Sequence, residues 1–378
     1  DTLLYVDKLR VGMLRFTDGN NLSLSNGTLA GGKLFIKETP GGEMNIKQVV
    51  DRLVNREKEA KGNFVLNIED VALEDFTLAI CRLEHKEPEY GIDFKDMHFE
   101  NMSGVLDNFR MQGSNIVGHV SDFHFVEHTG FDVREFDSDF MIDRGELQFR
   151  NVDIVTSSSR IHLPYANVKG EDGWNSYKDF IRQVDIDGEL YAEQITTDDV
   201  AHFAPRLLPW RLTATDVRAE VSGRVADLNV DIGSMSFGQN SRLTGDVRLR
   251  GLPDAKRGRM TLDINRLATN SADVAELLTA ITGVKLSDKA LAIARQAGDM
   301  VLAGEFDGGF KAFTGNATLT TSAGVAALTA EKQPVAVEKG ESPIAEIKAH
   351  ADLRHIALGR LLGSKALGSA TAEADFAG

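Results

Sequence analysis

The polar cluster HVSDFHFVEH is the stretch of this sequence whose residue types come closest to a metal site. It holds His119, Asp122, His124, Glu127 and His128. A metal site needs three or four such side chains to converge at bonding distance. Neighbouring side chains of an extended strand point to opposite faces, so we expect His124 on a polar face, away from the phenylalanines that flank it. The pattern therefore predicts solvated histidines and no metal site.

Closely spaced acids are the next candidates, because glycoside hydrolysis uses two carboxylates across a cleft. The pairs are Asp137/Asp139, Asp185/Asp187 and Asp198/Asp199. In a chain with a formal net charge of −15, such acids are more typical of the polar face of a strand. The sequence shows no nucleophile elbow, Walker loop or dinucleotide fingerprint. We predict that the protein is not an enzyme and uses no cofactor.

Composition narrows the classes of partner. The chain has 378 residues, of which 42% are hydrophobic, so it can bury a large core. Its negative charge argues against nucleic acid and against a broad basic patch for anionic headgroups. The single cysteine, Cys81, excludes an internal disulfide and is interpreted as a small apolar strand residue. The 20 Phe against 5 Tyr and 2 Trp indicate a surface that stays dry or meets hydrocarbon.

Short strands with one apolar and one polar face dominate the pattern. In DFMIDRGELQFRNVDIVTSSSRIHL, residues 139–163, apolar positions alternate, pass a turn, alternate again and then slip by one after Asn151. Similar alternation with single-residue slips runs from Gly62 to Leu163. Residues 46–61 show helical spacing instead, and we expect a helix there that caps one end of the sheet.

The predicted organisation has four segments. Residues 1–62 form strands and the capping helix, 63–170 a continuous antiparallel β-groove, 171–330 further groove repeats with short helical crossovers, and 331–378 a linker and the start of another repeat. Three strand–helix units repeat weakly, in QITTDDVAHFA, RLATNSADVAELL and DLRHIALGRLL, with steps of 74 and 84 residues between Val200, Val274 and Leu358.

About 25 predicted strands expose more apolar surface than about five short helices can cover. The sheet must either close on itself as a sandwich or barrel, or stay partly open as a long apolar trough. An open trough of that length needs an apolar ligand, because it would otherwise aggregate. We therefore predict a mainly β fold: a long antiparallel, curled, taco-like sheet that forms an elongated apolar groove, with a few short helices.

The candidate functional residues are then the apolar positions taken as a set. The predicted lining is Phe64, Leu66, Ile68, Phe76, Leu78, Ile80, Phe99, Phe123, Phe125, Phe140, Ile142, Leu147, Phe149, Val152, Ile154, Val230, Ile232, Phe237, Val247, Leu249, Leu262, Ile264, Leu302, Phe306 and Leu319. The C-terminal third is richer in Ala and Gly, so a shallower groove is expected there.

At this point the residues resemble a known family. The run at 139–163, together with ADLNVDIGSMSFGQNSRLTGDVRLRGLPD, LAGEFDGGFKAFTGNATLTTSAGVAAL and VALEDFTLAICRLEHKEPEYGIDFKDMHFENMSG, is similar to the TamB branch of the AsmA-like, bridge-type lipid-transfer proteins of Gram-negative envelopes. The resemblance covers roughly residues 1–330. It implies a periplasmic protein that is tethered to the inner membrane by an N-terminal helix and moves phospholipid towards the outer membrane. Some relatives also assemble outer-membrane proteins with a β-barrel partner.

This chain shows neither the anchor helix nor the C-terminal domain of that pattern, and it starts at Asp1 without a signal peptide. We expect it to be a piece of a longer protein, anchored through a segment outside this chain. The predicted function is intermembrane lipid transport, with acyl chains in the groove. Two alternatives stay open: an outer-membrane protein assembly or translocation factor that acts with a barrel partner, and a closed β-scaffold or adhesin.

Overall fold

A computed structural model gives the fold of residues 3–17, 21–45, 64–83, 89–93, 95–252, 258–309, 312–334 and 345–377. The protein is mainly β, with 66% of residues in strands and 13% in helices. Its strands form open, curled sheet, and its helices are few and short. The predicted fold class is therefore confirmed. The predicted helix at 46–61 lies outside the described residues.

The chain divides into two compact units, each described by itself. Unit 1 comprises Asp1–Lys178 and Ala192–Leu208, and unit 2 comprises Asp179–Tyr191 and Pro209–Gly378. The predicted four-segment organisation stays a prediction. The strands of unit 1 are β1 (Leu4–Tyr5), β2 (Lys8–Thr17), β3 (Asn21–Ala30), β4 (Lys33–Lys37), β5 (Val65–Cys81), β6 (Asp96–Gln112), β7 (Asn115–Glu127), β8 (Asp132–Asp143), β9 (Glu146–Thr156) and β10 (Arg160–Gly170).

Strands β5 to β10 of unit 1 pair antiparallel in chain order, as the alternating sequence predicts. The other side of β5 differs, because β3 and β4 both pair with it in parallel. Together β3 and β4 make one interrupted strand, which breaks at Gly31 and Gly32. Parallel neighbours need a long connection, and residues 38–64 between β4 and β5 supply that length. Alternation alone does not reveal such a crossover.

Single-residue bulges account for the phase slips in unit 1. Six of its non-glycine strand residues have positive φ, and all are Asn or Asp: Asn26, Asp75, Asn101, Asn108, Asp122 and Asn151. All but Asn26 lie at a register shift between neighbouring strands. These two residue types tolerate the left-handed conformation better than other side chains. Asn151 has a φ of 52° and its amide donates to Asp139 Oδ2 across the strands at 3.0 Å. The slip predicted after Asn151 is thus a bulge, and bulges bend strands and increase their twist.

Unit 2 is an antiparallel meander from β12 to β20 in chain order. Strand β11 (Val184–Thr196) straddles the unit boundary after Tyr191. The remaining strands are β12 (Thr213–Arg224), β13 (Asp227–Phe237), β14 (Ser241–Arg250), β15 (Arg259–Thr269), β16 (Met300–Gly308), β17 (Phe313–Thr321), β18 (Gly324–Pro334), β19 (Ala345–Ala357) and β20 (Ser369–Ala377). The linker predicted at the start of the 331–378 segment begins inside β18.

Short helices interrupt the strands where the sequence predicts them. A 3₁₀ helix, Gly173–Asp179, leads into α1 (Phe180–Gln183), and α2 (Thr197–Val200) precedes a 3₁₀ turn at Pro205–Leu207. The longer helices are α3 (Ser271–Thr282) and α4 (Asp288–Ala297), followed by α5 (Leu358–Leu361). No helix in the described parts of the chain has the length and apolar character needed to cross a bilayer.

Helices α2, α3 and α5 are the three predicted crossovers, and each turns back onto a hairpin of its own unit. The third residue of α2 is Asp199. Its Oδ2 accepts from the hydroxyls of Thr156, the last residue of β9, and of Ser158 in the following turn, at 2.6 and 2.8 Å. Counted from the helix starts at Thr197, Ser271 and Leu358, the steps are 74 and 87 residues. The predicted step of 84 was wrong, because it matched the fourth residue of α3 with the first of α5.

The equivalent contacts in unit 2 use other chemistry. The third residue of α3 is Asp273, which accepts from the backbone N–H groups of Gln239 and Asn240 at 3.0 Å and from Ser241 Oγ at 2.7 Å. In α5 that position is Arg360, which donates to the Ser322 carbonyl at 3.2 Å. The repeat thus keeps a hydrogen bond between the helix start and the hairpin turn. The helix residue accepts that bond in α2 and α3 and donates it in α5.

Candidate functional site: an open apolar face

The apolar positions of unit 1 line up on one face of the sheet. Residues directly opposite each other on neighbouring strands share a face, so the register traces continuous rows. One row crosses six strands through Leu66, Met111, Ile116, Ile142, Leu147 and Val168. A second joins Phe123, Phe136, Ile154 and Ile161. The predicted lining residues Leu78 and Phe99 are also directly paired.

Phenylalanines in unit 1 lie against glycines of neighbouring strands. A Cβ on Gly118 would stand 2.7 Å from the Phe140 ring and 3.4 Å from the Phe109 ring. Gly104 stands in the same relation to Phe123, and Gly32 to Phe76. An aromatic ring that covers a strand glycine replaces the packing that the glycine lacks. In these three pairs, a phenylalanine and a glycine together form part of the packed surface of the sheet.

The apolar face of unit 2 follows the same rule over nine strands. Its longest row runs through Val221, Val230, Val247, Leu262, Phe306, Gly315, Ala330, Ala349 and Phe376. A parallel row pairs Leu243, Leu267, Leu302 and Leu319. The first strands contribute large side chains and the later ones Gly and Ala.

The degree of burial shows what kind of surface this is. Of the 25 predicted lining residues, Phe76 and Val152 are buried and the other 23 are half-buried. The largest fully buried side chains among the described residues are Glu127 and Val184, and none is Leu, Ile or Phe. A sandwich or barrel closed around this many apolar side chains would bury large ones completely. The described residues therefore cover the apolar face only in part.

Two open hollows lie side by side on the apolar face of unit 2. One, of about 240 Å³, has Leu262, Leu302, Gly315 and Ala330 in its lining. The other, of about 450 Å³, is lined by Leu249, Met260 and Phe313 among others. Phe306 belongs to both linings, so the two hollows adjoin. They occur where small residues replace large ones along the rows.

Not every predicted lining residue lies along these rows. Phe237 lines a more polar hollow of about 360 Å³, together with Arg211 and Asp273, at the start of α3. Phe64 directly precedes β5. Sequence reasoning also missed members of the face, among them Phe109, Met111, Phe136 and Leu163. These residues are recognised by their apolar partners on neighbouring strands, and those partners are known only once the strand register is known.

The opposite face of unit 2 is strongly acidic. Glu220, Asp231, Asp246, Asp263 and Glu305 stand directly opposite one another on five neighbouring strands. Arginine–carboxylate pairs flank this row, and Arg248 binds Asp227 through two N–H groups at 2.8 and 2.7 Å. These bonds hold the pKa of Asp227 below its ordinary range. One face of the sheet is thus hydrocarbon and the other is solvated and charged.

The histidines of the polar cluster at 119–128 bind different carboxylates and do not converge on one point. His119 Nδ1 lies 2.9 Å from Asp139 Oδ1, whereas His128 Nδ1 lies 2.6 Å from Glu127 Oε1. Glu127 is fully buried. Burial alone would raise its pKa, but hydrogen bonds from Thr129, the charge of His128 and a bond from the His98 N–H lower it. His124 is exposed, as its strand position predicts.

The acid pairs likewise have structural partners. Asp137 accepts from the backbone N–H of the bulge residue Asp122 at 3.2 Å. Asp185 binds Arg224 at 2.9 Å. A bond from Asn151, followed by the bond and charge of His119, lowers the pKa of Asp139. Each pair thus has a member that fixes a strand, a bulge or a helix start.

A different polar group does converge at the end of β5. Cys81, Asp96 and His98 each offer a ligand atom, and these atoms all lie within 4.8 Å of one another. Burial, followed by the hydrogen bond and charge of Asp96, raises the pKa of the Cys81 thiol to about 11. Sequence spacing could not predict this set, because the cysteine meets the other two only across a strand pair.

No protein-family model, curated protein or solved structure matches this chain at a significant level.

Proposed function

We propose that the apolar faces carry phospholipid acyl chains, with the headgroups left in water. The observation that supports this proposal is a continuous row of large apolar side chains that stay half-buried in a folded sheet. Each methylene group moved from water onto such a face gains about 0.8 kcal/mol. An acyl chain that covers a few neighbouring strands therefore gains several kcal/mol without any dedicated polar pocket.

The compartment and the direction of transport rest on the resemblance to the TamB branch of AsmA-like proteins. On that basis the protein works in the periplasm of a Gram-negative envelope, tethered to the inner membrane by a segment outside this chain. Lipid moves towards the outer membrane, and a β-barrel partner there is a further part of the proposal. Transport is passive, because a sliding chain exchanges one stretch of apolar surface for another.

Native mass spectrometry of the gently purified chain, followed by lipid extraction, tests the proposal. We expect bound phospholipid in the wild type and its loss in Phe149→Asp, which puts a charge into the apolar face of β9. Gln148→Asp is the matched control, since it puts the same charge one residue away on the opposite face. A well-folded wild type without lipid, or equal loss in both variants, would contradict a lipid-carrying face.

One observation favours the assembly-factor alternative. Strand β2 pairs only with β3 among the described residues, and its side chains are exposed, with Leu14 and Phe16 each 63% accessible. An open strand edge can add a strand of another chain. In this case unfolded barrel strands should bind lipid-free protein, and Leu14→Lys should weaken that binding. Fluorescence anisotropy with a labelled barrel-strand peptide separates the two functions.

A further inference from the structure

The polar face at the end of β5 gathers three metal-ligating side chains of different chemistry. Cys81 stands directly opposite Asp96, and His98 follows two residues later on the same face of β6. Between them, Ile80 and Met97 form the next pair and point to the apolar face. The three donors therefore lie on the side of the sheet away from the proposed lipid surface.

The donors converge on a point and do not form a relay. Cys81 Sγ lies 3.6 Å from His98 Nε2, and Asp96 Oδ1 lies 2.9 Å from the same nitrogen. In a cysteine–histidine–acid catalytic triad, the acid and the nucleophile bind different ring nitrogens. Here the Cys81 sulfur and the Asp96 oxygen both lie next to Nε2 of His98. Ligands of one metal ion are arranged in this way.

Two of the three donor–donor distances lie close to those around a tetrahedral zinc ion. Zinc binds sulfur at about 2.3 Å, imidazole nitrogen at about 2.1 Å and carboxylate oxygen at about 2.0 Å. Tetrahedral geometry then places sulfur and nitrogen about 3.6 Å apart, and nitrogen and oxygen about 3.4 Å apart. The observed Sγ–Nε2 distance of 3.6 Å already matches. The Nε2–Oδ1 edge, at 2.9 Å, must open by only about 0.5 Å.

We propose that Cys81, Asp96 and His98 bind one zinc ion, with water in the fourth position. Binding releases the thiol proton to solvent and requires the His98 tautomer that leaves the Nε2 lone pair free. The mixed sulfur, nitrogen and oxygen set suits zinc better than magnesium or calcium, which prefer oxygen ligands.

A buried carboxylate fixes the ligand-bearing strand. Glu127 Oε1 accepts from the His98 backbone N–H at 3.4 Å and pairs with His128, whose ring packs edge-on against His98 at 5.3 Å between centroids. Such contacts around a ligand orient it for the metal. These contacts tie the His98 end of β6 to the end of β7.

Cobalt substitution in the chelator-stripped, untagged chain tests the site. We expect one Co²⁺ per chain with a thiolate-to-cobalt charge-transfer band, which Zn²⁺ removes by competition. Cys81→Ser should abolish the band and weaken zinc binding at least 100-fold, and Asp96→Asn at least tenfold. His162→Gln is the control, because that histidine pairs with Asp153 on another strand pair, β9–β10. Equal zinc affinity in the wild type and Cys81→Ser would overturn the proposal.

A second readout needs no variant. Cys81 is the single thiol of the chain, so alkylation reports on it alone. We expect zinc, but not magnesium, to slow alkylation at least tenfold in the native protein. An unchanged rate at saturating zinc would overturn the site even if every variant folded badly. Lipid occupancy plays no part in either readout, so the result is independent of the proposed function.

Discussion

The apolar faces of the two units differ in how they are built. In unit 1, every position of the row from Leu66 to Val168 carries a large side chain, and five bulges with a left-handed Asn or Asp interrupt the described strands. Among the described strand residues of unit 2, the only non-glycine residues with a left-handed conformation are Asp216 and His355, and β16 to β19 pair without any register shift. Its rows pass from Val and Leu to Gly and Ala.

The difference shows two ways to leave an apolar face open. Bulges bend and twist the strands of unit 1, and the large side chains on its apolar face stay half-buried. Straight ladders in unit 2 instead leave room by omitting side chains, and the two hollows beside Phe306 lie there. The shallower groove predicted for the C-terminal third stays a prediction, although small residues do replace large ones there.

Filling a hollow of unit 2 should have the largest effect. A Cβ on Gly315 meets its nearest atom, the Glu305 carbonyl oxygen, at 3.4 Å, so a larger side chain fits. Gly315→Leu should remove space for three or four methylene groups, which is about 3 kcal/mol or a 100-fold loss of acyl-chain affinity. Titration with a fluorescent fatty acid measures this loss.

Thr314→Leu is the matched control for that experiment, since it adds the same side chain to the exposed, opposite face of β17. Its affinity should equal that of the wild type. If Gly315→Leu also bound normally, the hollow would not be a ligand site, and unit 1 would have to carry the lipid alone.

Sequence alternation is enough to predict a strand-rich fold, the polar and apolar faces, and the slip at Asn151, because each depends on neighbours in the chain. It predicts about 25 short strands, whereas the described residues form 20, most of them nine residues or longer. It does not predict the parallel pairing of β3 and β4 with β5, which depends on a crossover. Nor does it reveal the convergence of Cys81 with His98, because register brings together residues 17 positions apart. The local sequence pattern therefore predicts which residues lie on the apolar face, whereas strand pairing determines which distant residues come together in a site.

The next largest effect is expected from the contacts that attach the crossover helices to their hairpins. Asp273→Ala removes the charged acceptor of two part-buried backbone N–H groups in the β13–β14 turn and of the buried Ser241 hydroxyl, and should cost about 2 to 3 kcal/mol. Asp199→Ala in unit 1 removes a partner of two hydroxyls, which can turn to other acceptors, and should cost about 1 kcal/mol. Urea unfolding of both variants measures the difference, and equal costs would contradict the comparison.

The Asp273 contact should also depend on pH. Burial alone would raise the pKa of this carboxyl, but bonds from Gln239, Asn240, Ser241 and Asn270 outweigh burial and lower it. A lowered native pKa means that the stabilisation is complete above the ordinary Asp pKa of about 4 and is lost as pH falls through the native value. The stability difference between the wild type and Asp273→Asn should therefore shrink on acidification below about pH 4.

A smaller difference in stability between the units is expected from the Asn residues at the bulges. Asn151→Val forces a β-branched residue into the left-handed region and should destabilise unit 1 by about 1 to 2 kcal/mol. Asn316→Val, in a straight ladder of unit 2, should stay within about 0.5 kcal/mol of the wild type. Asn151→Gly isolates the backbone contribution, because glycine accepts this φ. If Asn151→Val were as stable as Asn151→Gly, conformation would not explain the use of Asn at bulges.

The smallest expected effect concerns the charged faces. In unit 2, Asp246 stands between Asp231 and Asp263, so like charges face each other on both sides. In unit 1 the corresponding kind of row is interrupted, since His119 separates Asp107 from Asp139. Like charges directly opposite one another are destabilising, so Asp246→Asn should stabilise the protein by about 0.5 kcal/mol at low salt.

Asp107→Asn should stabilise less, because one of its two neighbours is the histidine. Both gains should vanish near 1 M salt, where the screening length falls to about 3 Å. Thermal unfolding across a salt series measures them. A gain that persists at high salt would mean that asparagine improves strand packing, and then charge would not distinguish the outer faces of the two units.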